Sequence, residues 1–463
     1  MVSPSLTTAL LLALVLVSRA HGSADPGEPL FLTPLIEAGE LQQAREQSRV
    51  LGLPGAGANV TSHSGFVTVD KERNSNLFFW FFECQQASPL EAPVLLWLQG
   101  GPGASSLYGL FAENGPFSVD TDLNLVARNF SWSNTHNLLY IDNPTGTGFS
   151  FTYDEQGFAR NEEDVARDLY LALTQFFIAF EKFRDNEFYV SGESYAGKYL
   201  PAIVNKIHVE NPTAELKINL KGMAIGDGFV DPINQVDYSE YFYNVGLVDA
   251  KQSEQFHDVA TQTVDLINQG DLAAAFLLWD AVLIGTVSPY PTLFQNITGF
   301  TNQYNYLQPN DAGDDPFNDF LKLPATRASI HVGNLPYNEA VDAVIHFMIS
   351  DEMNTTKPLV ASALDAGYRV LIYSGQLDIC VPYPLTQRWL ASMEWHGAEQ
   401  YRDAERAIWR ERGEIAGYVR QVDNLIEVLV RNSGHMVPTD QPAVGYALIT
   451  RFTGTYGAQG WQD

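Results

Sequence analysis

Apolar and polar positions follow two rhythms along this chain, and the switches between them outline its elements. Residues 92–98 (Ala-Pro-Val-Leu-Leu-Trp-Leu) and 137–142 are near-continuous apolar runs of strand length, the pattern of strands buried on both faces. Residues 66–69 and 76–83 are rich in β-formers and predict paired strands. Further strands are predicted at 187–191, 220–226, 368–373 and 425–430, the last of the chain. Residues 161–180 instead show helical spacing, with Val165, Leu169, Leu173, Phe176, Phe177 and Phe180 on one face. Glu162, Glu163 and Asp164 suit the positive amino end of that helix. Strands alternating with helices predict an α/β fold: a mostly parallel central sheet with helices on both faces.

The rhythm breaks between Asp231 and about Pro324, where Tyr, Asn, Gln and Pro rise and strand signals fade. A structureless segment of that length is unusual within a folded unit, so an inserted, mainly helical cap is expected. The layout predicted is a leader at 1–22, a core at 23–231, the cap at 232–323 and the rest of the core at 324–463.

Chemistry concentrates where strands end. The predicted strand 187–191 runs into Gly192-Glu193-Ser194-Tyr195-Ala196-Gly197, and Lys198-Tyr199-Leu200 can continue as helix. A serine on a tight strand-to-helix turn among small residues is the nucleophile elbow of the α/β-hydrolase fold; here Ala196 stands where a second glycine is common. A serine needs a histidine base, and the base needs a carboxylate, in the chain order Ser, Asp, His. Asp378 lies just past the strand at 368–373, and His435 just past the strand at 425–430. Two backbone donors must face the developing oxyanion. Tyr195 supplies one, and Gly101, in the glycine-rich turn 99–106, is the candidate for the other. No lysine follows those glycines in the register of a phosphate-binding loop.

Composition narrows the setting. The chain has 463 residues and a formal net charge of -28, which argues against nucleic acid or an anionic membrane as partner. Residues 9–17 are apolar and precede Ala20-His21-Gly22, the pattern of a cleaved signal peptide, although no Lys or Arg comes before the run. It is too short to span a bilayer, and no later run is long enough. Sequons at Asn59, Asn129, Asn296 and Asn354 then become candidates for N-glycosylation. Both features predict the secretory pathway, ending outside the cell or in a lysosome or endosome. The two cysteines, Cys84 and Cys380, either pair or remain buried thiols. Without an adjacent histidine they make no metal site, and the chemistry above calls for no cofactor.

Four segments together resemble the serine carboxypeptidases, acid-active exopeptidases of the α/β-hydrolase fold. They are Trp97-Leu98-Gln99-Gly100-Gly101-Pro102-Gly103, residues 142–150 (Asp-Asn-Pro-Thr-Gly-Thr-Gly-Phe-Ser), the elbow, and Gly434-His435-Met436-Val437-Pro438. The similarity spans about residues 29–452, and Phe79-Trp80-Phe81-Phe82 with Gln99 looks nearest the vitellogenic carboxypeptidase-like subgroup. Ala196 is what that family usually carries. The resemblance implies peptide substrates with a free C-terminal carboxylate, gripped by Gln99, Glu113 and Glu193. Two adjoining carboxyls cannot both ionise cheaply, so one keeps a proton and donates it to the substrate, which predicts tighter binding in acid. It also points to Tyr108 and Met436 as pocket residues. Gln99 replaces the commoner Asn, and Ala104 replaces a cysteine that many members pair. Two rivals share these residues: an acyltransferase on the same fold, and a protective or carrier protein with secondary catalysis. Oligomeric state is open, a homodimer included.

Overall fold

A computed structural model describes residues 25–55, 59–288, 291–310, 313, 315–338, 342–454 and 461; the predicted leader at 1–22 lies outside them. The strands are β1 (Ser62–Asp70), β2 (Ser75–Phe82), β3 (Val94–Leu98), β4 (Phe117–Val119), β5 (Leu125–Ala127), β6 (Asn137–Ile141), β7 (Phe188–Glu193), β8 (Leu220–Gly226), β9 (Arg369–Gly375), β10 (Ala407–Glu411), β11 (Glu414–Val422) and β12 (Leu425–Val430). Ten of them form one sheet in the order β1-β2-β6-β3-β7-β8-β9-β12-β11-β10, and β4 pairs with β5 separately. From β6 through β12 the sheet is parallel; β1, β2, β10 and β11 add antiparallel edges.

Strand side chains alternate between two cores. Phe79 and Phe81 of β2 join one cluster, while Phe78, Trp80 and Phe82 join the other; Leu96 and Trp97 of β3 divide in the same way. That is why these strands read as unbroken apolar runs. The helix Glu162–Ala179 covers the first face through Val165, Leu169, Leu173 and Phe176, and Asn161 caps it by accepting from the Asp164 N–H at 2.9 Å. The helix Pro442–Thr453 covers the second face through Leu448, Ile449 and Phe452.

The hairpin β10–β11 escaped the sequence reading. Its strands are half-polar edge strands with exposed charges, so they lack the continuous apolar signal, and Arg412 and Gly413 turn it at φ 51° and 83°. Between β8 and β9 the described elements are helices, among them Ser239–Asn244, Ala250–Gln269, Leu272–Asp280, Phe317–Lys322 and Pro324–Ser329. Cys84 and Cys380 are both free and buried, so the first alternative for them falls. Among the described residues no helix is long and apolar enough to cross a membrane.

Candidate active site

Parallel strands end along one edge, and the predicted site residues follow those ends. β3 leads to the glycine turn, β7 to Ser194, β8 to Asp227, β9 to Asp378 and β12 to His435. Ser194 takes φ 61°, a left-handed conformation that side chains seldom adopt. Its surroundings impose it: the Ser194 N–H donates to Gly226 O at 3.0 Å, and its carbonyl accepts the Phe229 N–H at 3.0 Å. The glycine turn presses against this elbow. A Cβ on Gly100 would stand 2.6 Å from Tyr195 N and 2.7 Å from the Ser194 Cβ, so only glycine fits. Gly101 and Tyr195 thereby share one cavity wall with Ser194. Asp142, at the end of β6, braces the turn by accepting the Ser105 hydroxyl at 2.6 Å, the Ser106 N–H at 3.1 Å and the Phe149 N–H at 2.8 Å.

His435 Nδ1 lies 2.8 Å from Asp378 Oδ2, and both residues are buried. Asp378 is held from several sides. Oδ1 accepts the Cys380 N–H at 2.8 Å, Oδ2 the Val381 N–H at 3.1 Å, and its carbonyl the Tyr241 hydroxyl at 2.8 Å. The His435 N–H donates to Tyr304 O at 2.8 Å, and the two rings are 5.4 Å apart. With Nδ1 committed to aspartate, Nε2 is the nitrogen left for proton transfer. It is buried without a hydrogen-bond partner, and His435 lines the same cavity as Ser194. Such bonds commonly tighten only around substrate.

Asp227, Asp378 and His435 bring ligand atoms within 4.8 Å of one another, the single such cluster among the described residues. Their atoms are largely engaged already, Asp227 Oδ1 by the Gly375 N–H at 2.7 Å. Burial, then the charge of Asp378, pushes the Asp227 carboxyl well above its usual range. A carboxyl raised in this way beside Asp378 fits a proton-sharing pair better than a cation site.

The third group is carboxylic. Trp97 Nε1 donates to Gln99 Oε1 at 2.9 Å, which orients the amide so that Nε2 donates to Glu193 Oε1 at 2.7 Å. Glu113 comes from a π-type turn, Gly109–Asn114, packed closely on Trp97: a Cβ on Gly109 would fall 2.1 Å from the indole nitrogen. Both glutamates are 1% exposed. Two buried acceptors in contact need a proton between them. Burial and then Glu113 push Glu193 well up; burial pushes Glu113 up to about 7 against hydrogen bonds from Glu193 and Gln99. The two carboxyls therefore share a proton, which belongs to the pair. Gln99 and Glu193 line the cavity, whereas Glu113 stands behind them. The cavity holds about 590 Å³, and Tyr108, Met436 and Cys380 are in its wall.

The eight residues predicted for catalysis and binding thus gather at one sheet edge: six line one cavity, and Asp378 and Glu113 stand directly behind His435 and Glu193. The fold is that of an α/β-hydrolase, and the chain belongs to the serine carboxypeptidase family, whose sequence model matches residues 54–455. It is 50% identical over 435 residues to the venom serine carboxypeptidase of Apis mellifera, covering 94% of this chain and 92% of that one. It is 47% identical to the probable serine carboxypeptidase CPVL of Homo sapiens (94% and 91% covered), and 43% identical to the vitellogenic carboxypeptidase of Aedes aegypti (94% and 93% covered). Among solved structures it resembles Kex1Δp, a prohormone-processing carboxypeptidase of Saccharomyces cerevisiae, with a TM-score of 0.78, 25% identity, and 88% and 96% of the chains covered. The protein is a serine carboxypeptidase, a hydrolase of peptides.

Sequence reasoning missed Asp227, Tyr241 and Glu352. Asp227 had a visible signal, since it follows β8 directly at the active edge. Tyr241 and Glu352 had none: Tyr241 sits on the helix Ser239–Asn244 and Glu352 in the turn after Met348, and no local pattern encodes how either docks.

Proposed function

We propose that Ser194, His435 and Asp378 carry the reaction through an acyl-enzyme, and that the enzyme prefers acid. The Ser194 oxygen attacks the last peptide carbonyl while its proton passes to His435 Nε2. The N–H groups of Gly101 and Tyr195 stabilise the oxyanion. His435 then protonates the departing amino acid, Asp378 keeps the ring in the required tautomer, and water releases the acyl group. Gln99 and protonated Glu193 donate to the substrate's terminal carboxylate, with Glu113 holding Glu193 in place. Above the titration of this pair, the site carries negative charge toward a negative substrate, and binding weakens.

The observation that carries this reading is the buried Gln99–Glu193 pair, backed by Glu113, beside the elbow in the cavity that Ser194 and His435 share. The test compares peptides with free and amidated C-termini at pH 5 and 7.5, with Ser194→Ala as control. Selective release from the free acids, strongest at pH 5, supports it; equal cutting of amidated peptides overturns it. Residues 232–323 are proposed as the cap, since Tyr241 and Tyr304 from that stretch bond to the Asp378 and His435 loops. The secretory route and N-glycosylation are also proposed: Asn59, Asn129, Asn296 and Asn354 are all exposed.

A further inference from the structure

The cavity crosses the sheet edge and has two ends. Gln99 and Glu193 stand beside Trp97 and Tyr373, which pack on one face of the sheet; Tyr195, Phe229, Trp279 and Ile345 belong to the core on the other. Ser194 lies between them. A peptide whose terminal carboxylate sits at Gln99 therefore lays its acyl residue, the one before the scissile bond, at the second end.

Glu352 closes that end. It lines the cavity, is 2% exposed, and its Oε1 has no hydrogen-bond partner. Phe229 and Trp279 stack at 5.0 Å and 9° to form an aromatic wall. The charge around Glu352 is one-sided. Glu162, Asp351 and Asp280 face it against Lys198 alone. Lys198 is occupied: Nζ donates to Asn354 O and lies 5.6 and 5.4 Å from the ring centres of Tyr195 and Phe229. Asp351 is likewise engaged by the Glu162 N–H at 3.2 Å and Asn354 Nδ2 at 2.6 Å. An apolar, aromatic channel ending on a carboxyl oxygen that no donor reaches suits a long stem with a cationic head.

We propose that Glu352 is a specificity-determining residue, selecting lysine or arginine at the position before the scissile bond. The proposal rests on the carboxypeptidase reading above. Burial, with Glu162, Asp351 and Asp280 outweighing Lys198, pushes the Glu352 carboxyl well above its usual range, so it favours its proton in the free enzyme. An incoming cation displaces that proton, so the preference strengthens as pH rises from 4 to 6.

The test uses N-acylated dipeptides with one leaving residue and Lys, Arg, norleucine, Gln or Glu as acyl residue. The readout is kcat/KM relative to norleucine within one enzyme preparation, which cancels any loss of folded protein. The wild type is expected to favour Lys and Arg by about tenfold or more, the scale of a charge-assisted hydrogen bond. In Glu352→Gln that ratio should fall to about one, and its rise with pH should vanish. A wild type that treats Lys like norleucine, prefers Gln to Lys, or keeps its preference in Glu352→Gln overturns the assignment while leaving the carboxypeptidase reading intact. No cleavage of any member sinks both.

Discussion

Glu113→Gln isolates what the buried carboxyl pair costs. Burial raises the Glu113 carboxyl from 4.5 to about 7. A group whose native pKa is raised stabilises the fold fully below its unfolded value and loses that contribution as pH climbs through the native value. At about 1.4 kcal/mol per pH unit, the loss from this group between pH 4 and pH 8 is about 3 kcal/mol. Glutamine keeps the shape of the protonated acid and cannot ionise, so the variant should be spared this loss. Wild type also carries Asp142, pushed up to about 6, and Glu162, pushed up to about 8, so the informative quantity is a difference of differences. Because the Glu113 charge also helps to raise Glu193, urea unfolding at pH 4 and pH 8 should show the wild type losing at least about 3 kcal/mol more than Glu113→Gln. Parallel losses in the two proteins would refute the argument, because Glu113 would then not titrate inside the native state as described.

The other expectations concern the sheet edge. Asp378→Asn should lower kcat by about 10⁴-fold, whereas Asp227→Asn, which mimics a protonated acid, should stay within about tenfold of wild type; steady-state kinetics on one dipeptide decides it. Ser194→Ala should lower kcat by about 10⁶-fold while binding of a product peptide, measured calorimetrically, persists. Gly100→Ala places a methyl 2.6 Å from Tyr195 N. Displacing the elbow should cost about 10²-fold in kcat and, as overpacking against backbone, about 1–3 kcal/mol of stability, so unchanged turnover in the folded variant would count against the assigned oxyanion geometry. Tyr241→Phe strips the hydroxyl from the Asp378 carbonyl and should destabilise by about 1–3 kcal/mol in denaturant titrations.

What could be learned from the chain alone followed from locality. A parallel strand buried on both faces must be apolar throughout, so β3, β6, β7, β8, β9 and β12 were visible as runs. A serine elbow needs small neighbours within a few positions, and the motifs around Ser194, Gly101, Asp378 and His435 all sit next to strand ends. Once the sheet is parallel, those ends must share an edge, so the triad followed from strand count and chain order. The edge hairpin β10–β11 was hidden because half-solvated strands carry no continuous apolar signal. Tertiary structure alone decided which groups from distant loops and helices reach that edge: the Tyr241 hydroxyl on Asp378, Tyr304 beside His435, and Glu352 at the far end of the cavity. It alone decided, too, that Glu113 backs Glu193 instead of facing the cavity, and that Asp227 leans on Asp378. The physical reason is the same throughout: short-range sterics and burial write themselves into neighbouring residues, whereas the pKa of a buried acid depends on which distant charge the packing brings beside it.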